Sequence, residues 1–267
     1  MTDDDRYVHG HHESVLRSHT WRTVNNSAAY LADHLHAGVD VLDIGCGPGT
    51  ITVDMAERVG PGSVVGVDRS EHIVGEAAES IPDHLDNVRF EVGDTYALDY
   101  PDNSFDIVHA HQVLQHLTDP IAALAEMRRV VNASGVVAVR DADYSAMFWT
   151  PDNEGMNLWQ DLYHQITSHN RVEADAGRYL LGWARQAGFS EIELSSSTWT
   201  FATDETRSWW GQLWADRIRQ STFATEANRL GIADDTKLEA VGAAFLDWMK
   251  QPDAVFIVPH GEILATK

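Results

Sequence analysis

Hydrophobic and polar positions follow two periods along the chain, and the change between them marks the predicted elements. Short apolar runs bounded by Gly, Asp, Asn or Pro predict buried strands, and amphipathic stretches between them predict helices. Strands are predicted over residues 39–44, 63–68, 88–92, 105–111, 136–141, 192–201 and 254–258. Regular alternation of strands and helices is typical of a parallel sheet with crossover helices.

The same pattern predicts how the chain is divided. Residues 1–37 carry apolar positions partly at helical spacing and are predicted to form an N-terminal helical lid. An α/β core follows over 38–143 and is completed by 177–201 and 253–267. Aromatic-rich helical stretches over 153–169 and 206–220 predict that 144–176 and 202–252 form a helical cap.

Composition narrows the function classes. The chain has 267 residues and 43% apolar content, which suits one α/β domain with an elaboration. Its 41 acidic residues outnumber 19 basic ones, and the formal charge is −22. Such a surface repels phosphate backbones and anionic membranes, so nucleic acid is not an expected partner. A salt-adapted host is one explanation of the charge, and a GC-rich genome that favours Arg codons is the other.

Two further features bear on location and redox chemistry. No long apolar run occurs, and the first residues are acidic where a secretory signal has basic residues. These features predict a cytoplasmic protein without membrane insertion. The single cysteine, Cys46, excludes an internal disulfide framework, and we expect it to pack within the glycine-rich turn that surrounds it.

The glycine-rich turn after the first strand is the strongest local signal. Gly45, Gly47 and Gly49 allow positive φ and a close approach of the backbone to a ligand. A dinucleotide oxidoreductase requires a third small residue where Thr50 stands. Asp68 ends the second strand and can accept hydrogen bonds from two ribose hydroxyls in either kind of nucleotide site. An NAD(P)-dependent oxidoreductase therefore stays as an alternative on this evidence.

The order of motifs over residues 39–143 resembles the class I S-adenosylmethionine-dependent methyltransferases. The glycine turn matches their first motif, 64–68 their second, and Asp94 the acid that bonds the adenine amino group. The resemblance implies a Rossmann-like, doubly wound, mostly parallel sheet of seven strands with an antiparallel last strand. It implies S-adenosyl-L-methionine as cofactor and S-adenosyl-L-homocysteine as product. The implied cofactor contacts are Asp43, Gly45, Cys46, Gly47, Gly49, Asp68, Arg69, Asp94, Thr95, His111 and Gln112.

Finer matches over 111–120, 126–130 and 182–189 resemble the UbiE-like (methyltransferase type 11/25) group, which contains many small-molecule enzymes. The opening Tyr7-Val8-His9-Gly10 and 182–189 resemble a subgroup that includes fungal enzymes methylating thiols of dithiol natural products. The resemblance implies transfer to a C, O or S nucleophile of a small molecule. A protein that binds or senses the cofactor without transferring a methyl group is the alternative.

Two histidines are candidate catalytic residues. His111 ends the fourth strand at the edge that faces the ligand in open α/β sheets, and imidazole accepts a proton near neutral pH. His116 follows closely; it is a second candidate base, and a structural role at the loop is its alternative. A base is optional, because a thiol ionises more readily than an alcohol or an aromatic carbon.

The remaining candidates lie around this edge. Arg22 suits bidentate binding of the cofactor's carboxylate, and Tyr7 is predicted to close over the same site. An exposed position without a role in the site is the alternative for both. Asp141, after the fifth strand, is a candidate substrate contact. Trp149 and Trp210 are candidate substrate contacts too, and packing inside the cap is the alternative for both. No metal site is predicted, although His9, His11 and His12 form a small cluster.

Overall fold

The computed structural model describes residues 20–267. The predictions made for Tyr7 and for the cluster of His9, His11 and His12 lie outside these residues. Everything below concerns the described part of the chain.

One sheet organises residues 20–267, and it has eight strands. The strands are β1 Val41–Ile44, β2 Val64–Asp68, β3 Val88–Val92, β4 Phe105–His111, β5 Val131–Ala142, β6 Phe148–Thr150, β7 Glu191–Phe201 and β8 Val255–Thr266. Their order is β3-β2-β1-β4-β5-β8-β6, and β7 pairs with the other edge of β8. The order of the strands reverses between β1 and β4, which are parallel neighbours. Ligands bind at this point in open α/β folds.

The first five strands pair in parallel, and β8 runs antiparallel to β5, β6 and β7. The Rossmann-like α/β class and the antiparallel last strand are therefore confirmed. The predicted strand number of seven is one too low. The additional strand is the three-residue β6, which the aromatic pattern assigned to the helical cap.

Two strands extend beyond their predicted bounds. Strand β5 begins at Val131, and β8 continues to Thr266, past the predicted end at residue 258. His260 and Glu262 interrupt the apolar pattern of β8, yet both side chains are buried. Their polar neighbours in the sheet compensate this burial, and no local sequence pattern reveals such neighbours.

Nine α-helices connect or cover these strands in the described part. They are α1 Val24–Ser27, α2 Thr50–Val59, α3 Glu71–Glu79, α4 Pro120–Val130, α5 Glu154–His169, α6 Leu180–Gln186, α7 Asp204–Gln220, α8 Thr222–Arg229 and α9 Asp235–Trp248. Local signals mark their starts. Asp119 caps α4 by accepting a hydrogen bond from the backbone of Ala122, and Pro120 occupies the first turn.

The segment before β1 is only partly helical within residues 20–37. It contains α1 and a 3₁₀ helix over Ala29–His34. Val24, Ala28 and Leu31 are fully buried in one apolar cluster with β1, α2 and β4. This segment therefore covers one face of the sheet, and α4 and α6 contribute to the apolar cluster on the other face.

The helices α5, α7, α8 and α9 enclose an aromatic core. Trp159 and Trp214 lie at its centre with a ring separation of 4.4 Å. The same cluster includes Phe201 of β7 and Phe256 of β8. These helices therefore share one core with the end of the sheet.

Candidate active site

The glycine-rich turn joins β1 to α2 at the carboxyl edge of the sheet. Gly45 has φ of 64° and Gly49 φ of 80°, in the left-handed region that a side chain disfavours. A Cβ atom at Gly49 would lie 2.7 Å from Cε1 of Phe90, and one at Gly45 would lie 2.5 Å from Cγ2 of Val113. The turn is thus a cradle that only glycine permits, which fits the close approach of a nucleotide.

Asp68 lies beside this turn at the end of β2. Its Oδ2 accepts a hydrogen bond from the Gly47 amide at 3.2 Å, and its Oδ1 accepts one from the Ser70 amide at 3.0 Å. Each carboxylate oxygen has a further lone pair. Asp68 therefore holds the turn in place and keeps acceptor capacity for hydroxyl groups of a ligand.

Asp43 is buried behind the turn, at 3% exposure. Its Oδ1 lies 2.7 Å from Nδ1 of His109 on β4, and its Oδ2 accepts a hydrogen bond from Thr52 of α2 at 2.5 Å. Because a carboxylate accepts only, His109 carries its proton on Nδ1. Both oxygens of Asp43 are thus engaged within the protein, where they tie the turn to the two elements beside it.

The other residues implied as cofactor contacts surround the same edge. Asp94 is exposed after β3 and accepts a hydrogen bond from the Tyr96 amide at 3.0 Å. Thr95 follows with a buried hydroxyl that has no hydrogen-bond partner among residues 20–267, and Arg69 is exposed after β2. Burial and the nearby carboxylates raise the pKa of the Cys46 thiol, so this thiol stays protonated and packs within the turn.

The structure brings His111 to the centre of a buried polar region at the end of β4. Its side chain is 5% exposed, and neither ring nitrogen has a hydrogen-bond partner among the described residues. Burial, together with the Arg22 and Arg140 cations, holds the pKa of His111 well below its ordinary value. The imidazole is therefore neutral at pH 7, and protonating it beside two cations is unfavourable.

His116 follows in the 3₁₀ turn over Leu114–His116. Its Nε2 lies 3.1 Å from Nε2 of Gln115. Burial lowers the pKa of His116 to about 3, and the Arg22, Arg217 and Arg69 cations act in the same direction. This histidine, too, is neutral near pH 7.

A chain of hydrogen bonds leads from the N-terminal segment to β8. Arg22 Nη2 donates to Gln112 Oε1 at 2.6 Å, and Gln112 Nε2 lies 2.9 Å from Nε2 of His260. His260 Nδ1 lies 3.1 Å from the carbonyl oxygen of Val258 and donates to it, so its Nε2 is the acceptor for Gln112. Gln112 adopts φ of 54°, which is uncommon for a residue with a side chain. Both ends of its amide hold it in this conformation.

Arg140 and Glu262 form a buried ion pair between β5 and β8. Arg140 Nε donates to Glu262 Oε1 at 3.0 Å and to Ser197 Oγ at 3.1 Å. Ser197 donates to the same carboxylate oxygen, and Ser195 donates to Glu262 Oε2 at 3.0 Å. Burial lowers the pKa of Arg140 to about 10, which leaves the guanidinium charged at pH 7.

The indole of Trp199 lies at the centre of this polar region. Cζ of Arg140 lies 5.0 Å from its ring, and Cζ of Arg22 lies 5.6 Å from it. The rings of His260 and His111 lie 4.5 Å and 5.7 Å away. We call these five residues the Trp199 cluster. Cation–π attraction stabilises guanidinium groups that lie within about 6 Å of an indole, as both do here.

Asp141 is buried next to the cluster. Its Oδ1 accepts a hydrogen bond from the Gln115 amide at 3.1 Å, and its Oδ2 has no hydrogen-bond partner among the described residues. Burial raises the pKa of Asp141 to about 7. Asp141 therefore carries only part of a negative charge near neutrality.

The raised pKa of Asp141 predicts a specific pH dependence of stability. Because the folded pKa is above the unfolded value near 3.9, its contribution is fully present below about pH 4 and is lost as pH rises through about 7. The free energy of unfolding of the wild type should fall by a few kcal/mol between about pH 5 and pH 8, at about 1.4 kcal/mol per pKa unit. We expect Asp141→Asn to abolish this decrease. Urea unfolding of both proteins at the two pH values measures this. Parallel pH dependence in both would contradict the assignment.

The two tryptophans predicted as substrate contacts lie in the aromatic core. Trp210 is 4% exposed, and its ring is stacked on Phe201 at 4.1 Å with an interplanar angle of 8°. Trp149 belongs to β6 and stacks on Phe256 at 5.4 Å. Neither ring contact involves the Trp199 cluster. Their role as substrate contacts stays a prediction.

Sequence reasoning missed several members of this site. His260 and Glu262 lie beyond the predicted end of the last strand, and Tyr30 has a buried hydroxyl without a hydrogen-bond partner among residues 20–267. A signal existed for β8, where His260 and Glu262 alternate with the non-polar residues Pro259, Gly261 and Ile263. Such period-two alternation is a strand pattern with one polar face.

No group of three or more His, Cys, Asp or Glu side chains among residues 20–267 is arranged to hold a metal ion. No helix of the described chain combines the length and the apolar character needed to cross a membrane.

The fold and the turn define a Rossmann-like, nucleotide-binding class of protein. The chain belongs to a methyltransferase domain family, whose model matches residues 35–204. It is an S-adenosyl-L-methionine-dependent methyltransferase of class I, and the expectation of methyl rather than hydride transfer is confirmed. S-adenosyl-L-methionine is its cofactor.

Relatives and solved structures agree with this family. An uncharacterized methyltransferase of Schizosaccharomyces pombe is 34% identical, over 100% of this chain and 98% of that protein. Demethylmenaquinone methyltransferase of Staphylococcus aureus is 38% identical over 38% of this chain and 42% of its own length. The fold resembles Haemonchus contortus phosphoethanolamine N-methyltransferase 2, solved with S-adenosylhomocysteine, with a TM-score of 0.57 and 18% identity over 90% of this chain and 52% of that one.

Proposed function

We propose that this methyltransferase acts on a small molecule and that the acceptor binds at the Trp199 cluster. The observation that carries the proposal is the burial of polar side chains from β4, β5, β7 and β8 at the edge that also holds the glycine turn. His111, Arg140 and His260 are all at most 5% exposed. An enclosed site of this kind admits a compact ligand and excludes a polymer. The negative surface charge also opposes nucleic acid.

We propose that the cofactor lies along the carboxyl edge from β1 to β4. The backbone of the glycine turn would face the methionine part, and Asp68 would bind the ribose. Asp94 and Thr95 would border the adenine, with Arg69 at the rim. Asp43 supports the turn from behind through His109 and Thr52. Arg22 remains our candidate for the cofactor's carboxylate, since its planar guanidinium suits a carboxylate and its Nη2 donates to Gln112 at this edge.

The cofactor, when bound, supplies a sulfonium methyl group that is already electrophilic. The remaining task of the protein is to orient the nucleophile, exclude water and accommodate its charge. Residues 20–37 and the helices of the proposed cap, 144–176 and 202–252, would enclose the acceptor. Trp21 supports this reading, because its ring lies 5.3 Å from Trp199 and 5.4 Å from Trp209 of α7.

A labelled-methyl assay tests the proposal. Purified protein is incubated with methyl-labelled cofactor and a panel of small phenols, thiols, amines and quinols, and label is followed into the organic phase. We expect transfer to at least one small acceptor and none to RNA, DNA or a protein extract. Transfer to a polymer alone would contradict the proposal.

The neutral state of His111 leads to a second expectation. If His111 were the general base, its removal would cost about a hundredfold or more in turnover. Because Arg22 and Arg140 oppose the protonated imidazole, we expect His111→Gln to lose less than this. Turnover of both proteins on the same acceptor, from about pH 6 to pH 9, measures the effect. A loss of a thousandfold together with a shifted pH profile would restore the base assignment.

A further inference from the structure

A row of polar side chains crosses the sheet at the proposed acceptor position. Strand register places His111 of β4 beside Arg140 of β5, which lies beside Glu262 of β8, and Glu262 lies beside Ser195 of β7. Partners in neighbouring strands point to the same face of a sheet. The row therefore faces the N-terminal segment, whose Arg22 contacts the same Trp199 ring as Arg140.

In this row, the ring nitrogens of His111 and one nitrogen of Arg140 have no hydrogen-bond partner within residues 20–267. Arg140 donates from Nε to Glu262 and from Nε and Nη2 to Ser197. Its Nη1 has no hydrogen-bond partner among residues 20–267. The residue is only 1% exposed, so this nitrogen is also shielded from solvent. A buried charged donor without a partner destabilises the folded protein. A ligand that accepts a hydrogen bond from Nη1 would satisfy this donor.

The charges around the row favour a negative ligand group. Arg22 and Arg140 are cations within 6 Å of Trp199, and Glu262 is the carboxylate that contacts one of them. Asp141, Asp43 and the Tyr30 hydroxyl are further ionisable groups nearby. His111 and His260 are the ionisable rings of the cluster, and burial keeps the pKa of each well below its ordinary value. Two guanidinium groups beside one indole, inside a chain of net charge −22, favour an anionic ligand group at this place.

Resting on the proposed function, we infer that the acceptor is a small phenol-like hydroxyl or thiol that binds as an oxygen or sulfur anion against Nη1 of Arg140. Arg140 is then a residue that determines acceptor specificity. An amine would enter this pocket as an ammonium ion, or would lose its proton at a cost, beside two guanidinium groups. An amine nitrogen is therefore disfavoured as the acceptor atom.

The chemical balance of this step is simple. The acceptor's proton passes to solvent water when the anion forms, so no histidine has to hold it. The anion's lone pair forms the new bond to the methyl carbon, and the bond between that carbon and the sulfonium sulfur breaks with its electron pair left on sulfur. One negative and one positive charge disappear, and no oxidant or reductant is needed. Arg140 stabilises the anion and the two neutral imidazoles border it.

Anion binding can be measured without turnover. Probes are 4-nitrophenol and 4-nitrothiophenol, whose ionised forms absorb at longer wavelength, titrated in the presence of S-adenosyl-L-homocysteine. An opposite charge within about 4–6 Å lowers an acid's pKa by about 1–3 units. We expect the bound phenol or thiol to ionise at least about one pH unit below the free probe. Absence of bound anion for both probes would overturn the inference.

Variants connect the shift to Arg140. Removing the guanidinium alone would leave the buried carboxylate of Glu262 without its cation. Arg140→Met is therefore combined with Glu262→Gln. We expect this double variant to lose the pKa shift of the bound probe and Arg140→Lys to retain most of it. Arg185→Met, at an exposed position on α6, is the matched control and should bind the probe as the wild type does.

A single variant keeps the test conclusive if the double variant does not fold. Glu262→Gln removes the counter-charge and leaves the cation, so the pKa of the bound probe should fall further. An unchanged or raised pKa in Glu262→Gln, or an equal shift in wild type and a folded double variant, would overturn the inference. Circular dichroism establishes folding in each case.

Labelled-methyl transfer separates this inference from the proposed function. Methylation of benzylamine, with none of any phenol or thiol, would overturn the anionic acceptor and leave small-molecule methylation standing. No transfer to any small acceptor would overturn the proposed function, while the probe titration still decides whether the anion site exists.

Discussion

Replacing Asp68 with alanine is expected to weaken binding of S-adenosyl-L-homocysteine by roughly 100-fold or more. We propose that the carboxylate accepts hydrogen bonds from the ribose hydroxyls, and each hydrogen bond to a charged group contributes about 1.5–3 kcal/mol. It also accepts from the Gly47 amide at 3.2 Å, so the turn loses a support. A loss of about 3 kcal/mol corresponds to more than a hundredfold in the dissociation constant. Titration calorimetry measures it.

The control for Asp68 is Asp83→Ala, an exposed carboxylate between α3 and β3. It changes the net charge equally and should leave binding unaltered. Thermal unfolding of both variants separates a local loss of affinity from a general loss of structure. An unchanged dissociation constant for a folded Asp68→Ala protein would show that the ribose is held elsewhere.

Replacing Trp210 with alanine is expected to lower the free energy of unfolding by about 3–5 kcal/mol, the usual effect of truncating a buried aromatic residue. Its ring is stacked on Phe201 and lies 5.8 Å from Trp214 and 5.5 Å from Phe256. Large-to-small truncation at such a site leaves a cavity that neighbours fill only partly. Urea unfolding provides the free energy.

Trp209→Ala is the matched comparison, because Trp209 is the half-buried neighbour in the same helix. It should cost less stability. The opposite pattern at Trp210, unchanged stability with lost binding of the acceptor, would favour the substrate contact that the aromatic pattern predicts. The two outcomes separate packing from recognition for a residue where sequence allows both.

The glycine turn and its proximity to Asp68 were predictable because their signals are local. Gly45, Gly47 and Gly49 are spaced for one turn, and Asp68 follows at the end of the next strand. Parallel strands bring their carboxyl ends to one edge, so alternating elements already imply that such residues meet. The positive φ values of Gly45 and Gly49 agree with this expectation.

The pairs inside the site were not predictable in the same way. Arg140 and Glu262 are 122 positions apart, and Asp43 and His109 are 66 apart. Each pair depends on which strands become neighbours and in which register. The antiparallel insertion of β8 between β5 and β7 brings His260 and Glu262 to the Trp199 cluster. A local pattern contains no information about that register.

By itself, the sequence determined the fold class, the methyl donor and the edge of the sheet at which we propose that the chemistry occurs. These follow from short motifs and from hydrophobic periodicity, which act over a few residues. The tertiary structure decided the electrostatic character of the proposed acceptor site, where Arg22 and Arg140 lie beside Trp199 and, together with burial, keep two histidines neutral. The physical reason is that burial and long-range pairing set charge and pKa, and both exist only in the folded chain.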